Sequence, residues 1–320
     1  MNTPTLVVTD LRKRYGETRA LDGFSLSVEA ASIHGLLGPN GAGKSTAIRA
    51  LATLTATDSG VAAIDGHDVA TAGTRVRERI GLVGQATALD EILSGRQNLV
   101  LFGRLLNLGR MAHSRATELL EQFELTDAAD KPVSGYSGGM KRRLDIAAAL
   151  ILTPAVLFLD EPTAGLDPRG RNEVWEAVRR VKGTGTTVLL TTQYLDEADQ
   201  LADRISIMDH GRVIAEGRPS ELKRQLGGAR VELVIAAELL DHCARTLEAV
   251  IGSPVDVDYD NRTLSIAAGA GSQTLIDIVR ALDNESIDAD DILLRRPTLD
   301  EVFLALTAPS TDNASEKESA

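Results

Sequence analysis

The chain has 320 residues, which is enough for one large domain and a second, smaller one. The formal net charge is −12 at pH 7, and the sequence contains no stripe of basic residues, which argues against a nucleic-acid binder. No run approaches the ~18 apolar residues of a membrane-spanning helix, and the single cysteine, Cys243, precludes an intramolecular disulfide. Because residues 1–5 carry neither a basic start nor a hydrophobic core, we expect no secretion signal.

A phosphate-binding loop follows the apolar run of residues 32–37, which predicts a short buried strand. The loop has the complete pattern G-x-x-x-x-G-K-[ST] and consists of Gly38, Pro39, Asn40, Gly41, Ala42, Gly43, Lys44, Ser45 and Thr46. Glycines allow backbone N–H groups to surround a polyphosphate, and a helix starting near Lys44 adds the positive end of its dipole. We therefore expect a nucleoside triphosphate here, with Lys44 on its β- and γ-phosphates and the Ser45 hydroxyl on Mg²⁺.

Gln85 follows a second strand-like run, residues 80–83, and its amide is within reach of a metal ion or a water molecule. Residues 89–108 then indicate a loop and a helix. The apolar side of this helix is formed by Leu101, Phe102, Leu105 and Leu106. Such a side fits a groove for a partner protein and the chain's own core equally well.

Ser137, Gly138 and Gly139 run directly into an Ala- and Leu-rich helix that extends to residue 152. A hydroxyl and free N–H groups at a helix N-terminus form a second candidate anion site. The alternative is an ordinary capped helix start that binds no ligand.

Two carboxylates, Asp160 and Glu161, end the apolar run of residues 156–159. Parallel strands deliver such groups to the edge of the sheet where ligands bind. We expect Asp160 to hold the Mg²⁺ shell and Glu161 to polarise the attacking water. The alternative for two acids after a strand is the start of a helix. Asp167 follows a few residues later, before Pro168.

A second domain is predicted after a break in periodicity at residues 226–229, which divides the chain into 1–228, 229–307 and a polar, disordered tail, 308–320. Alternating and helical patterns in the middle part give the order βαββαβ, typical of a small ferredoxin-like α+β sandwich. A last helix begins at Thr298 with a capping box to Glu301. Its apolar stripe contains Leu299, Val302, Phe303 and Leu306. The stripe fits packing on the chain's own core and, alternatively, docking to a partner.

The order of the phosphate loop, Gln85, the Ser-Gly-Gly segment, the acidic pair and Asp167 resembles that of ABC transporter ATP-binding subunits over residues 5–226. The resemblance implies an α/β P-loop NTPase fold with a RecA-like core, an antiparallel β subdomain and a helical subdomain. It implies that Tyr15 stacks on adenine and that Gln193 replaces the family's switch histidine. It also implies a head-to-tail homodimer with ATP and Mg²⁺ held between the phosphate loop of one copy and the Ser-Gly-Gly segment of the other.

Two further segments narrow the resemblance. Residues 191–194, Thr-Thr-Gln-Tyr, and residues 297–307 are similar to the ATPase subunits of daunorubicin/doxorubicin resistance exporters, in which glutamine replaces the histidine. This implies efflux of a drug or hydrophobic natural product through a separate membrane subunit of the ABC-2 type, with the chain peripheral on the cytoplasmic face of the membrane. Tyr136 and Met140 depart from the family's Leu-Ser-Gly-Gly-Gln, but the three residues that contact phosphate are kept.

Two other classes of ABC ATPase are alternatives to an exporter subunit. Members that act on ribosomes or DNA usually carry two cassettes or a long insert, whereas this chain has a single cassette and about fifty residues between Gln85 and Ser137. A regulator that binds ATP without hydrolysing it would not need an intact Glu161. Both comparisons favour the exporter.

Overall fold

The computed structural model describes residues 4–224, 229–269, 271–295 and 298–307, the last four by their backbone only. Contacts divide the chain into two compact units, Met1–Pro219 and Ser220–Ala320. Residues 225–228, where we expect the change of domain, and the expected disordered tail of residues 308–320 lie outside the described residues.

Strands and helices alternate through the first unit. Its strands are β1 (Pro4–Tyr15), β2 (Thr18–Glu29), β3 (Ile33–Leu37), β4 (Ser59–Ile64), β5 (His67–Asp68), β6 (Ile80–Val83), β7 (Val156–Asp160), β8 (Thr187–Thr192), β9 (Arg204–Asp209) and β10 (Arg212–Gly217). Its helices are α1 (Lys44–Leu51), α2 (Gly73–Arg79), α3 (Gly95–Leu105), α4 (Met111–Gln122), α5 (Gly138–Ala149), α6 (Pro168–Gly183) and α7 (Leu195–Leu201). Helix α8 (Pro219–Arg224) follows at the division between the units.

A six-stranded sheet in the order β10-β9-β3-β8-β7-β6 forms the centre of the first unit. The strands from β9 to β6 pair in parallel, and β10 is an antiparallel edge strand. Every residue of β3, β7 and β8 is buried, which explains why none of these segments alternates between apolar and charged residues. Because the strands are parallel, β3, β6, β7 and β8 all end at the same edge of the sheet.

A second sheet and a group of helices complete this unit. Strands β2-β1-β4-β5 form an antiparallel sheet whose buried side chains pack with helix α1. Helices α3, α4 and α5 pack in another hydrophobic cluster with β6 to β8. These parts correspond to the antiparallel β subdomain, the helical subdomain and the RecA-like core that the sequence predicts.

The second unit has the predicted element order βαββαβ. It contains β11 (Arg230–Ile235), α9 (Leu240–Ile251), β12 (Val255–Asp258), β13 (Thr263–Ala267), α10 (Ser272–Asn284), β14 (Ala289–Arg295) and then α11 (Leu299–Thr307). The strands pair antiparallel in the order β12-β13-β11-β14. One side of α9 and α10 packs on this sheet in a cluster that includes Cys243, which is fully buried. The thiol is thus a core group, and burial raises its pKa to about 11.

The start of α11 confirms the predicted capping box. The Thr298 hydroxyl accepts a hydrogen bond from the Glu301 N–H, and the Glu301 carboxylate accepts one from the Thr298 N–H. Leu299 and Val302 are buried, so this half of the predicted stripe packs within the chain. Within the described residues, no helix is long and apolar enough to cross a membrane.

His34 in β3 makes the stability of the fold depend on pH. Its side chain is buried, with Nε2 2.8 Å from the Ser206 hydroxyl, and burial lowers its pKa to about 4, with a further contribution from Arg204. The unfolded chain, with a histidine pKa near 6.5, binds the extra proton first as the pH falls. We expect the unfolding free energy to fall between pH ~6.5 and ~4, by at most about 1.4 kcal/mol per pH unit from this group.

The measurement is urea unfolding of native and His34→Gln protein across this pH window, and the variant should show the shallower dependence. His210→Gln is the matched control, since that imidazole is 95% exposed and should leave the dependence unchanged. Identical slopes for the native protein and His34→Gln would contradict the assignment.

Candidate functional site

The phosphate loop connects the end of β3 to the start of α1, as predicted. Two of its glycines are required by close backbone contacts. A Cβ at Gly38 would lie 2.3 Å from the Met208 carbonyl oxygen, and one at Gly43 would lie 2.3 Å from that of Ala20. Gly43 also has φ 104°, which an L side chain rarely adopts. The loop can therefore pass between β9 and β2 only because these positions lack side chains.

Lys44 lies at the first position of α1 and is 5% exposed. Its ammonium group donates to the carbonyl oxygens of Gly38 at 2.6 Å and Pro39 at 2.9 Å, which folds the side chain over the loop. Burial lowers its pKa, and the charges of Glu161 and Asp160 oppose that effect. The cation is thus held inside the curve of the loop, where a polyphosphate would lie.

Asp160, at the end of β7, accepts hydrogen bonds from two hydroxyl groups. The Ser45 hydroxyl donates to Oδ1 at 3.1 Å and the Thr191 hydroxyl at 2.6 Å. Asp160 is 9% exposed, and it lines one concave surface together with Ser45 and Gln85. A carboxylate, a hydroxyl and an amide oxygen grouped in this way form a donor set that suits a hard cation such as Mg²⁺.

A neighbouring concave surface contains most of the predicted loop residues. It is lined by Thr18, Ala20, Pro39, Asn40, Gly41, Gly43, Lys44, Ser45, Thr46, Gln85 and Glu161. Gln85 and Ser45 also line the first surface, so they lie where the two meet. The ends of β3, β6 and β7 thus bring the predicted loop, amide and carboxylates together.

Glu161 has an unusual backbone conformation. Its φ is 49°, in the left-handed region, which costs a non-glycine residue roughly 1–2 kcal/mol. The Glu161 N–H donates both to the Thr191 carbonyl oxygen at 3.2 Å and to the Thr191 hydroxyl at 3.1 Å, which stabilises the turn. The chain therefore bends sharply after Asp160, and the Glu161 side chain reaches the concave surface at the phosphate loop. The alternative that these acids begin a helix is wrong.

The Ser-Gly-Gly segment forms the start of helix α5, with Ser137 as its N-cap. The Ser137 hydroxyl caps the helix by accepting a hydrogen bond from Met140 N–H at 3.2 Å, while Ser137 and Gly138 remain exposed. Tyr136 before it is buried and donates to the Ala128 carbonyl oxygen at 2.6 Å. Among the described residues that line the two concave surfaces, none comes from this segment.

Asp167 is placed next to this helix start. Its carboxylate caps α6 by accepting a hydrogen bond from Gly170 N–H at 2.9 Å. A Cβ at Gly138 would lie 2.8 Å from Leu166, so the segment before Asp167 packs on the start of α5. The structure therefore groups Asp167 with the Ser-Gly-Gly segment rather than with the phosphate loop.

Gln193 follows β8 and is not among the described residues that line the two concave surfaces. The residues that follow it in the chain make contacts that the sequence does not reveal. The Arg171 guanidinium lies 5.1 Å from the centre of the Tyr194 ring and 5.6 Å from that of Trp175. Glu197 is fully buried and accepts hydrogen bonds from Thr163 at 2.9 Å and from the Trp175 indole at 3.2 Å.

Burial raises the pKa of Glu197, and these hydrogen bonds oppose the rise. Because Thr163 lies two residues after Glu161 and Glu197 lies four residues after Gln193, their hydrogen bond connects the two segments that carry Glu161 and Gln193. The sequence shows an acidic pair at residues 196–197, but nothing in it indicates that Glu197 is buried while Asp196 is exposed.

Tyr15 and the helical segment complete the predicted positions. Tyr15 ends β1, is 48% exposed, and pairs across the turn with Thr18, which lines the surface at the phosphate loop. In α3, Phe102 packs in the hydrophobic cluster of the helices. The other three apolar residues are exposed by 41–67%, namely Leu101, Leu105 and Leu106. The predicted apolar side is thus divided between core and surface.

Comparisons with known proteins agree with this arrangement. Residues 21–164 match the family model described as ABC transporter. The chain is 54% identical to the daunorubicin resistance ATP-binding protein DrrA2 of Streptomyces coeruleorubidus, with 97% of both chains covered. It is 49% identical to the daunorubicin/doxorubicin resistance ATP-binding protein DrrA of Streptomyces peucetius, covering 100% of this chain and 98% of the relative. The Nod factor export ATP-binding protein I of Ralstonia nicotianae is 40% identical over 96% of this chain and 94% of its own length.

Solved structures show the same fold. An ABC transporter cassette in its ADP conformation aligns with a TM-score of 0.62 at 26% identity, covering 69% of this chain and 93% of its own. A dimeric cassette bound to ADP and Pi aligns with a TM-score of 0.59 at 26% identity, covering 67% and 98%. Sequence, fold and site thus confirm the resemblance: the chain belongs to the family of ABC transporter ATP-binding proteins and is an ATPase.

Proposed function

We propose that this chain is the ATP-hydrolysing subunit of a drug exporter, which works as a head-to-tail pair of copies on a separate membrane subunit of the ABC-2 type. The observation that carries the proposal is the division of the site. The phosphate loop and the acids meet at one edge of the sheet, whereas the Ser-Gly-Gly segment is an exposed helix start outside those surfaces. A second copy can bring its own helix start to the phosphates, so that ATP holds the pair together.

Each residue near the phosphate loop has a role in this proposal. The loop N–H groups and Lys44 bind the phosphates, and Tyr15 stacks on the base. Ser45, Gln85 and Asp160 hold Mg²⁺, and this ion supplies charge neutralisation on the phosphate oxygens. The hydroxyl and carboxylate of Ser45 and Asp160 lie 3.1 Å apart, which fits two neighbouring ligands of one cation.

Glu161 and Gln193 act on the water and the terminal phosphate. Glu161 lies after the sharp turn and orients the water that attacks, accepting its proton as hydrolysis proceeds. Gln193 donates its amide N–H to the γ-phosphate, and this donation does not titrate near neutral pH as that of a histidine would. The hydrogen bond between Thr163 and Glu197 connects the segments that carry Glu161 and Gln193. Loss of the γ-phosphate therefore affects the positions of both residues.

Near full-length similarity to two drug resistance proteins supports transport of a drug or hydrophobic natural product, for which anthracyclines are the candidate class. The exposed leucines of α3 offer an apolar surface to the membrane subunit, which would place the chain on the cytoplasmic face of the membrane. The similarity covers almost all of each relative. This favours the exporter over an ATPase that acts on ribosomes or DNA.

Purification of tagged Glu161→Gln protein with ATP from its native host tests the exporter assignment. Recovery of a multi-span membrane protein would support it and identify the subunit that selects the cargo. Recovery of ribosomes or DNA, or of the protein alone, would overturn the export assignment and leave the ATPase chemistry in place.

Glu161→Gln should trap the pair of copies with ATP bound. The amide cannot accept the proton of the water, so we expect turnover to fall by roughly 10²–10⁴-fold while nucleotide binding persists. Size-exclusion chromatography with light scattering would then show a dimer that depends on ATP. Glu78→Gln, at an exposed position of α2, is the control and should behave as the native protein. Undiminished turnover in Glu161→Gln would remove Glu161 from this role.

Gln193→Ala should reduce hydrolysis more than Gln193→His does, because histidine can still donate to the γ-phosphate. Hydrolysis by the histidine variant should also acquire a dependence on pH near the histidine pKa of about 6.5. Steady-state rates of the three proteins between pH 5.5 and 8 measure both effects. Equal hydrolysis rates in all three proteins would show that Gln193 takes no part in hydrolysis.

A further inference from the structure

Arg142, in the second turn of α5, forms hydrogen bonds to the loop that carries Gln85. Its guanidinium donates to the carbonyl oxygen of Gly84 at 2.7 Å and to that of Gln85 at 3.4 Å. The side chain is only 10% exposed, and the shorter of the two bonds, to Gly84, is partly buried. The two carbonyl groups lie on either side of the Gln85 α-carbon, so holding both of them limits where the side-chain amide of Gln85 can point.

Asp145 lies one turn further along α5 and holds the same loop at a second point. Its Oδ1 accepts a hydrogen bond from Ala88 N–H at 3.5 Å, and its Oδ2 lies 3.6 Å from Arg142 Nη1. The Asp145 side chain is 6% exposed, and the ion pair with Arg142 offsets part of the cost of burying its charge. Together the two residues fasten residues 84–88 to α5 at both ends.

Helix α5 also begins at the Ser-Gly-Gly segment. Arg142 is four residues from Gly138, so about 6 Å of continuous helix joins the two. One rigid element therefore carries, at its exposed start, the groups that face the nucleotide of another copy and, one turn on, the arginine that holds the Gln85 loop of its own site.

We propose that Arg142, oriented by Asp145, is a positioning residue that fixes Gln85 to helix α5. A displacement of the helix start by the nucleotide of the second copy is then transmitted to the glutamine of the first site. The inference rests on the proposed function, because it assumes that Gln85 acts at the metal ion or the water and that the helix start meets a second copy.

Arg143 provides a matched control on the same helix. It is also an almost buried arginine, but it donates to the Phe123 carbonyl oxygen at 2.9 Å and to Glu173 at 3.2 Å. Its bonds hold α5 to other helices and do not reach the Gln85 loop. Arg143→Lys thus reproduces the loss of a buried guanidinium without the loss of the loop contacts.

Hydrogen exchange on the nucleotide-free and metal-free protein gives the first test. Lysine at position 142 keeps a charge beside Asp145 but cannot bond both carbonyl groups. We expect Arg142→Lys to speed exchange of the Ala88 amide, whose N–H donates to Asp145, by roughly tenfold and to leave the phosphate loop unchanged. Arg143→Lys should not alter exchange at Ala88. A native exchange rate of the Ala88 amide in Arg142→Lys would overturn the proposal.

A double-mutant cycle on hydrolysis gives the second test. Arg142→Lys should lower kcat by roughly tenfold with little change in the KM for ATP. In the Gln85→Ala background the same change should alter kcat by less than about twofold, because its effect passes through Gln85. Arg143→Lys should have the same effect in both backgrounds. Arg142→Gln serves as a second variant if the lysine variant is poorly folded.

The results of the double-mutant cycle distinguish a failure of the positioning role from a failure of the proposed function. Equal losses from Arg142→Lys in both backgrounds, or no loss in either, would overturn the positioning role while Gln85 keeps its own. Native turnover in Gln85→Ala would instead remove the proposed role of Gln85 and, with it, the positioning by Arg142.

Discussion

The nucleotide site depends on the hydrogen bonds to the buried carboxylate of Asp160. This carboxylate accepts one from a hydroxyl on the helix that follows the phosphate loop and one from a hydroxyl on the adjacent strand, so three elements meet at one side chain. The Thr191 that donates to it also holds the strained turn at Glu161. Parallel pairing of β3, β7 and β8 makes this convergence possible, because it brings their ends to one edge of the sheet.

The same sheet cannot supply the second anion site. Helix α5 packs with the helices, and its start lies beside the cap of α6, so Ser137 and Gly138 face solvent while Gly139 is buried. In the proposed function, the phosphate loop and the helix start are the two halves of a site that forms between copies. The proposed positioning role of Arg142 and Asp145 would connect the two halves within one chain and let a pair of copies respond to ATP together.

Local patterns in the sequence predict a large part of this structure. The phosphate loop, the strand before Asp160 and the capping box at Thr298 depend on neighbours within a few residues, and the structure has all three. Local sequence patterns do not reveal the roles of Thr191, Glu197 and Arg142, because each of them depends on contacts with residues 22–58 positions away. The division of the predicted apolar side, with Phe102 in the core and the three leucines exposed, has the same origin, since periodicity marks an apolar side but not what covers it.

A complementation experiment tests the division of the site most directly. Lys44→Ala destroys the phosphate loop of a copy, and Ser137→Arg blocks its helix start, so each variant alone should be inactive. When the two are mixed, one site of each mixed pair combines an intact loop with an intact helix start. The account predicts that ATP hydrolysis returns on mixing. A mixture no more active than its two components would contradict a site shared between copies.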